Sequence, residues 1–415
     1  MIRLNQPPRT PTTHPQVKSP TPTPPPPPPS PPPPPPPPPP GPAPAARPAP
    51  AQARNIRHAA EILHRGGLVA FPTETVYGLG ADAENAEAVR RVFAVKQRPE
   101  THPLIVHLAD PCQLGDWVTE ISGPARVLAE RFWPGPLTLV LPRGPRVPPV
   151  VTGGCDTVAV RVPHHPVAQR LLTAFGGAIA APSANRFGAV SCTSADHVAD
   201  ELGPVVDLIL DGGTCPVGIE STIIDVTGDE PTLLRPGAIG VDDLAQALGR
   251  PIRTTTPSRG HRAPGQHPSH YAPRARVILV EESDVLAEAH RQQSHGRRVG
   301  VLRSPTSAAS TFTGNVLVIE VPTAIGDYAR DLYRLLREFD RHNCEVVIAS
   351  LPTRAGVGLA IADRLTRASA PRPAATASTS TAAEKGGEPC QRRESSATNH
   401  MRKSIHVRQN GKQGS

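Results

Sequence analysis

Two stretches hold residue types that suit an anionic ligand: PTETVYGLG at residues 72–80 and KQRPETHPLIVHL at 96–108. Ahead of the first, an apolar strand, LVAF, runs into its turn rich in hydroxyls and glycine, and a helix-like segment follows. The second opens on Lys96-x-Arg98 and carries His107 on the next strand. Further along come Thr157 and Arg161, Ser183 and Asn185, Ser221 and Thr222, and Arg235. With Thr73 and Thr75, these residues fall at strand ends or in adjoining loops, where α/β proteins hold small polar ligands. Guanidinium groups pair in bidentate fashion with phosphate and carboxylate alike, so the set suits a phosphate plus a small carboxylate. The sequence has no G-x-x-x-x-G-K-[ST] run and no G-x-S-x-G elbow, which excludes a P-loop protein and weakens hydrolase readings. Glu74 and Asp82 have the chemistry of bases, but read first as groups that orient an arginine or cap a helix. His164-His165, between prolines, reads as a polar turn, and His267 and His270 as loop.

The elements around these residues follow from periodicity. Ile56, Ala59, Ala60 and Leu63 predict a helix ended by Gly66-Gly67, and residues 68–72 a buried strand. Asn85 caps a helix with Val89, Val92 and Phe93 on its apolar face, which delivers Lys96 and Arg98 at its far end. Strands are expected at 104–109, after the Trp133-Pro134-Gly135-Pro136 turn, and at 157–163. In the last, Val158, Val160 and Val162 share one face while Thr157, Ala159 and Arg161 share the other. Helices at 124–132, 166–175 and near 194–202, a strand at 178–182, and strands in VVDLILDGG and ESTIIDVT complete the unit, closed by LLRPG. Some strand-to-strand links are short, so a twisted mixed sheet is expected rather than a purely parallel one. After a loop-like stretch at 249–274, strands at 276–281, 298–302, 316–320 and 345–349 alternate with helices at 283–293 and 325–340. They predict a smaller C-terminal Rossmann-like α/β domain, ended by a polar helix with Arg364 and Arg367.

Composition sets the outer bounds. The chain has 415 residues and 55 prolines, crowded into the first fifty positions. Residues 1–50 therefore read as a disordered Pro-rich tail and 369–415 as a disordered basic tail. The remainder divides into 52–248, a linker at 249–274, and 275–368. Residues 1–60 and 366–415 each contribute +6 to the net charge of +8, so residues 61–365 carry −4. That is not the broad basic face of a strong nucleic-acid binder. The six cysteines, at 112, 155, 192, 215, 344 and 390, form no C-x-x-C pair, so structural zinc is not expected. No apolar run approaches membrane-spanning length, and a cytoplasmic setting is expected.

Taken together, PTETVYGLG, KQRPETHPLIVHL, FWPGPLTLVL, DTVAVRVPHHP, APSANRFG, GIESTIID, LLRPG, PGQHPSHYAP and GVGLAIADRL closely resemble the YrdC-like family, in the long two-domain form of its threonylcarbamoyladenylate synthases. The resemblance covers about residues 52–367. It implies an enzyme of nucleotidyl transfer that joins L-threonine, bicarbonate and ATP, with Mg²⁺, into threonylcarbamoyl-AMP and pyrophosphate. It implies a downstream tRNA threonylcarbamoyl transferase complex as consumer, and allows a weak, double-stranded-RNA-type contact with tRNA. Threonine would be held by Thr75, His107, Arg161 and Ser221. ATP would be held by Lys96, Arg98, His102, Thr157, Ala181, Ser183, Asn185, Ser191 and Arg235, with Tyr271 folded back as part of a lid. No protein nucleophile and no metal-binding side chain is implied; Lys96 and Arg98 act electrostatically. His102 stands where relatives commonly offer an amide or amine, and Cys192 where they commonly have proline. An RNA-binding or ribosome-assembly factor on the same fold is the alternative reading.

Overall fold

The computed structural model describes residues 50–254, 264–265, 269–305, 312 and 314–371. The expected Pro-rich tail falls outside the described residues except for Pro50, as do the basic tail beyond Pro371 and much of the 249–274 segment, His267 included.

The first elements are α1 (Pro50–His64), β1 (Val69–Phe71), β2 (Gly78–Asp82), α2 (Ala86–Lys96), β3 (Ile105–His107), α3 (Gly123–Phe132), β4 (Leu137–Pro142) and β5 (Thr157–Arg161). Then come α4 (Pro166–Phe175), β6 (Ile179–Ala181), α5 (Ala195–Leu202), β7 (Leu208–Ile209), β8 (Thr222–Asp225), β9 (Thr232–Arg235), α6 (Val241–Leu248) and β10 (Arg253–Thr254). Their strands form one sheet in the order β10-β9-β8-β4-β5-β3-β6-β2-β1-β7. Parallel pairs such as β3–β5 and β4–β8 alternate with antiparallel ones such as β4–β5 and β3–β6, so the sheet is mixed.

Helices cover both faces of this sheet. On one, Val89, Val92 and Phe93 of α2, Leu128 of α3, Val198 of α5 and Leu244 of α6 pack with Val158, Val160 and Val162. On the other, Ala59 and Leu63 of α1 meet Leu171 and Leu172 of α4 over Val69, Phe71 and Ile179. The alternation of β5 holds: its valines enter the main core, while Ala159 joins a separate small cluster with Ile105, Val140 and Ile223. That cluster floors the region where Arg161 emerges.

Four elements differ from expectation. Strand β2 lies where a glycine-rich turn was predicted, β9 where LLRPG was read only as a close, β10 inside the stretch read as loop, and α6 where no helix was expected. Gly78 and Gly80 give β2 no apolar alternation, because the strand is squeezed between aromatic and aliphatic neighbours. A Cβ on Gly80 would lie 2.7 Å from Ile179 Cγ2 and 2.9 Å from the Phe71 ring.

The C-terminal part comprises β11 (Arg276–Leu279), α7 (Val285–Ser294), β12 (Val299–Arg303), β13 (Val316–Glu320), α8 (Ile325–Arg341), β14 (Val346–Ala349) and α9 (Val357–Ser369). Its sheet, β11-β14-β12-β13, is wholly parallel. Helix α7 packs one face through Val285 and Ala289. Helices α8 and α9 cover the other, and their core also takes in Val76, Val190, Ile219 and Tyr271 from the site loops. No helix among the described residues is long and apolar enough to cross a membrane.

Candidate functional site

The end of α2 is built to project cations. Asn85 accepts hydrogen bonds from the Glu87 and Ala88 amides, a cap worth about 1 kcal/mol. At the other end Gln97 adopts a left-handed conformation, φ 54°, and its amide bonds to the Ala94 and Phe93 carbonyls. The reversal sends Lys96 and Arg98 in different directions. Lys96 Nζ donates to Ser183 O at 2.6 Å and to Asn185 O. Burial, then the neighbouring Arg98, lowers its ammonium to about 7. Arg98 donates from NH2 to Pro103 O at 3.0 Å, and its guanidinium lies over the Phe187 ring.

A half-open cavity of about 40 Å³ sits on the Ile105 side of the sheet. Nine of the expected residues line it: Thr75, Arg98, His107, Arg161, Ala181, Ser183, Ser221, Arg235 and Tyr271. Arg161 is tethered on three sides. Its Nε donates to Gly135 O at 3.2 Å, NH1 donates to Thr75 Oγ1 at 2.8 Å, and NH2 lies 2.6 Å from Glu74 Oε1. Thr75 Oγ1 in turn lies 2.8 Å from Thr73 Oγ1, which donates to Val76 O. Ser221 Oγ meets Thr138 Oγ1 at 2.7 Å and accepts from Arg235 NH2 at 3.1 Å. Arg235 Nε also holds the Ser221 carbonyl. Burial, then Arg161, pushes His107 down to about 3, so this ring is neutral; its Nδ1 lies 3.1 Å from Ile105 O.

Five expected residues do not line the cavity. Thr157 shares a strand face with Arg161 but starts β5, four residues away, or about 13 Å along an extended chain. Asn185 spends its amide on the Arg186 and Ala189 carbonyls, and so shapes its own loop. Ser191 donates to Glu220 Oε1 at 2.6 Å. His102 is buried beside Phe187, with ring centroids 5.3 Å apart. Lys96 lies behind the Ser183 loop that it braces.

The structure adds residues that the sequence did not single out. Glu220 lines the cavity and accepts from Ser191, from Tyr333 Oη at 2.7 Å and from Arg364 Nε at 2.8 Å. Burial raises its carboxyl, but Arg364 and Arg235 outweigh that and hold it below the ordinary range. Arg364 is fully buried and sits 4.8 Å over the Tyr271 ring, which stacks on Tyr333. Tyr271 itself has φ 61°, a conformation costly for a bulky residue. His270, read as ordinary loop, also lines the cavity. His165, read as a turn residue, caps α4 through Nδ1, which accepts from the Val167 amide. Asp82 accepts from the Glu84 amide ahead of α2.

A family model described as telomere recombination matches residues 61–237, and one described as threonylcarbamoyl-AMP synthase, C-terminal domain, matches 239–370. The threonylcarbamoyl-AMP synthase of Pyrococcus abyssi is 43% identical over 328 residues, covering 76% of this chain and 94% of the relative. That of Bacillus subtilis is 41% identical over 324 residues, covering 76% and 93%. The crystal structure of P. abyssi Sua5 complexed with L-threonine superposes with a TM-score of 0.72 at 41% identity, covering 76% of this chain and 94% of that one. The chain thus belongs to the threonylcarbamoyl-AMP synthase family, in its long two-domain form.

Proposed function

We propose that this enzyme condenses L-threonine, bicarbonate and ATP into threonylcarbamoyl-AMP, releasing pyrophosphate. One observation carries the reading: Arg161, Arg98 and Arg235 line the same cavity as Thr75 and Ser221. Cations and alcohols so gathered suit an amino acid and a triphosphate held side by side. The threonine complex of the P. abyssi relative supports the amino-acid half.

In this reading Arg161 takes the threonine carboxylate, while Thr75, His107 and Ser221 complete that subsite. The threonine nitrogen attacks bicarbonate to give a carbamate and water. A carbamate oxygen then attacks the α-phosphorus, and pyrophosphate leaves as the phosphoric–carbamic anhydride forms. No protein nucleophile takes part. The protein contributes positioning and fixed positive charge from Arg98 and Arg235, with Lys96 gaining its charge as the triphosphate arrives. Thr157, Ser183, Asn185, Ser191, the Ala181 backbone and His102 would border the nucleotide once Tyr271 lifts. With Tyr271 down, water is excluded from a labile carbamate. Mg²⁺ would neutralise phosphate charge and travel on phosphate oxygens; among the described residues no three His, Cys, Asp or Glu converge as a metal cradle.

We propose further that the chain divides into a catalytic domain at 52–248, a lid segment at 249–274 and a smaller domain at 275–368. The product would pass to a transferase that modifies the adenosine beside the anticodon of tRNA. A cytoplasmic setting is part of the same proposal. The RNA-binding alternative is not favoured, since the relatives named above are synthases.

The test is pyrophosphate release by the purified chain with ATP, Mg²⁺, threonine and bicarbonate, each omitted in turn. Release should need all four. Release that ignores threonine would overturn the assignment.

A further inference from the structure

The geometry points to Glu74 as a positioning residue that presets Arg161 for the amino-acid substrate; the inference rests on Arg161 being the carboxylate clamp. Glu74 is 4% exposed, and its Oε1 lies 2.6 Å from Arg161 NH2, itself in a side chain only 3% exposed. Neither carboxylate oxygen has a hydrogen-bond partner among the described residues, so charge alone holds this contact. Glu74 does not line the cavity, whereas its neighbours Thr73 and Thr75 do. It therefore touches the clamp from behind and does not reach the reacting amine.

A guanidinium has five N–H donors. Nε–H goes to Gly135 O and one NH1 hydrogen to Thr75 Oγ1. With Glu74 drawing NH2 by charge, the plane of the fork is fixed while N–H groups remain for a carboxylate in the cavity. A guanidinium so deeply buried needs a counter-charge even when the site is empty. Without one it turns toward another acceptor, and a substrate must then reorder it on arrival. The Glu74 carbonyl accepts from the Val217 amide at 2.8 Å, which fixes the residue against the loop that leads to Ser221.

The experiment measures L-threonine binding to the full chain by titration calorimetry, together with KM and kcat, for Glu74→Gln, Glu74→Asp and Arg161→Ala. Glu74→Gln keeps the shape and removes the charge. Its threonine Kd and KM should rise about tenfold or more, with the ATP KM and kcat within about threefold of the parent. Glu74→Asp keeps the charge but withdraws it by about one bond length, and should weaken threonine by about threefold. A merely structural residue would instead lower the melting temperature and move both substrates' KM together. If Glu74→Gln fails to fold, Glu74→Asp decides, and parental threonine affinity in Glu74→Asp overturns the inference. Arg161→Ala separates the levels. If it leaves threonine affinity unchanged, the clamp reading falls and takes the inference with it. If it weakens threonine while Glu74→Gln does not, only the inference falls.

Discussion

Lys96 is the residue whose ionisation is most informative. Its ammonium, ordinarily near 10.5, is held at about 7 by burial and by Arg98. The folded empty protein therefore binds fewer protons at this site than the unfolded chain between about pH 7 and 10.5. The cost of burying this charge is full below about pH 7 and fades as pH rises through the window, so stability should rise with pH across it. A triphosphate reaching the site would restore the ordinary value. At pH 8, ATP binding should take up close to one proton, read as a difference in calorimetric heat between buffers of unlike ionisation enthalpy. Lys96→Met should abolish the uptake and weaken ATP by about 2 kcal/mol, roughly thirtyfold. Equal uptake in that variant would remove Lys96 from the phosphate site. The type and place of such residues were legible in sequence, because KQR and TVAVR sit at element ends that periodicity marks. Their partners were not. Glu220 meets Arg364 across 144 positions, and no local pattern encodes a pair so far apart.

Elements were read well where one face is apolar and both ends are punctuated. Helix α4 matched its expected range because Pro166 opens it and Gly176, at φ 73°, closes it. Helix α8 matched nearly as well: Tyr328, Leu332, Leu335, Leu336 and Phe339 form its buried stripe, while exposed i,i+3 pairs such as Arg334–Asp331 face water and add little. Strand β2 was missed for the opposite reason. Its Gly80 is buried by what its neighbours need, a gap beside Phe71 and Ile179, and not by any side chain of its own. Gly80→Ala should therefore overpack this contact and cost about 1–3 kcal/mol. The corresponding fall in melting temperature is roughly 2–10 °C, measured by circular dichroism. A melt unchanged from the parent would mean that β2 has room to relax and does not fix the hydroxyl loop before it.

At the scale of the molecule, α8 and α9 carry one face of the small sheet and, by the same apolar layer, the loops of the catalytic cavity. Tyr333 and Arg364 reach from those helices to Glu220, so the second sheet braces the site through a buried charge pair and aromatic stacking. This arrangement consumes the cations that a nucleic-acid face would need. Arg337, for example, is spent on Glu201 at 3.0 Å. Charge is distributed to match: residues 1–49 hold +4 and 372–415 hold +5, which leaves −1 on residues 50–371 out of a total of +8. Any tRNA contact should therefore reside in the terminal segments and follow counterion release, with log Kd rising in proportion to log salt. A chain shortened to residues 50–371 should retain threonine-dependent pyrophosphate release at the parental rate and lose salt-dependent tRNA retention in a filter-binding titration. If the shortened chain instead binds tRNA with the parental salt slope, the phosphate contacts lie on the folded surface, and the RNA-binding reading regains its place beside catalysis.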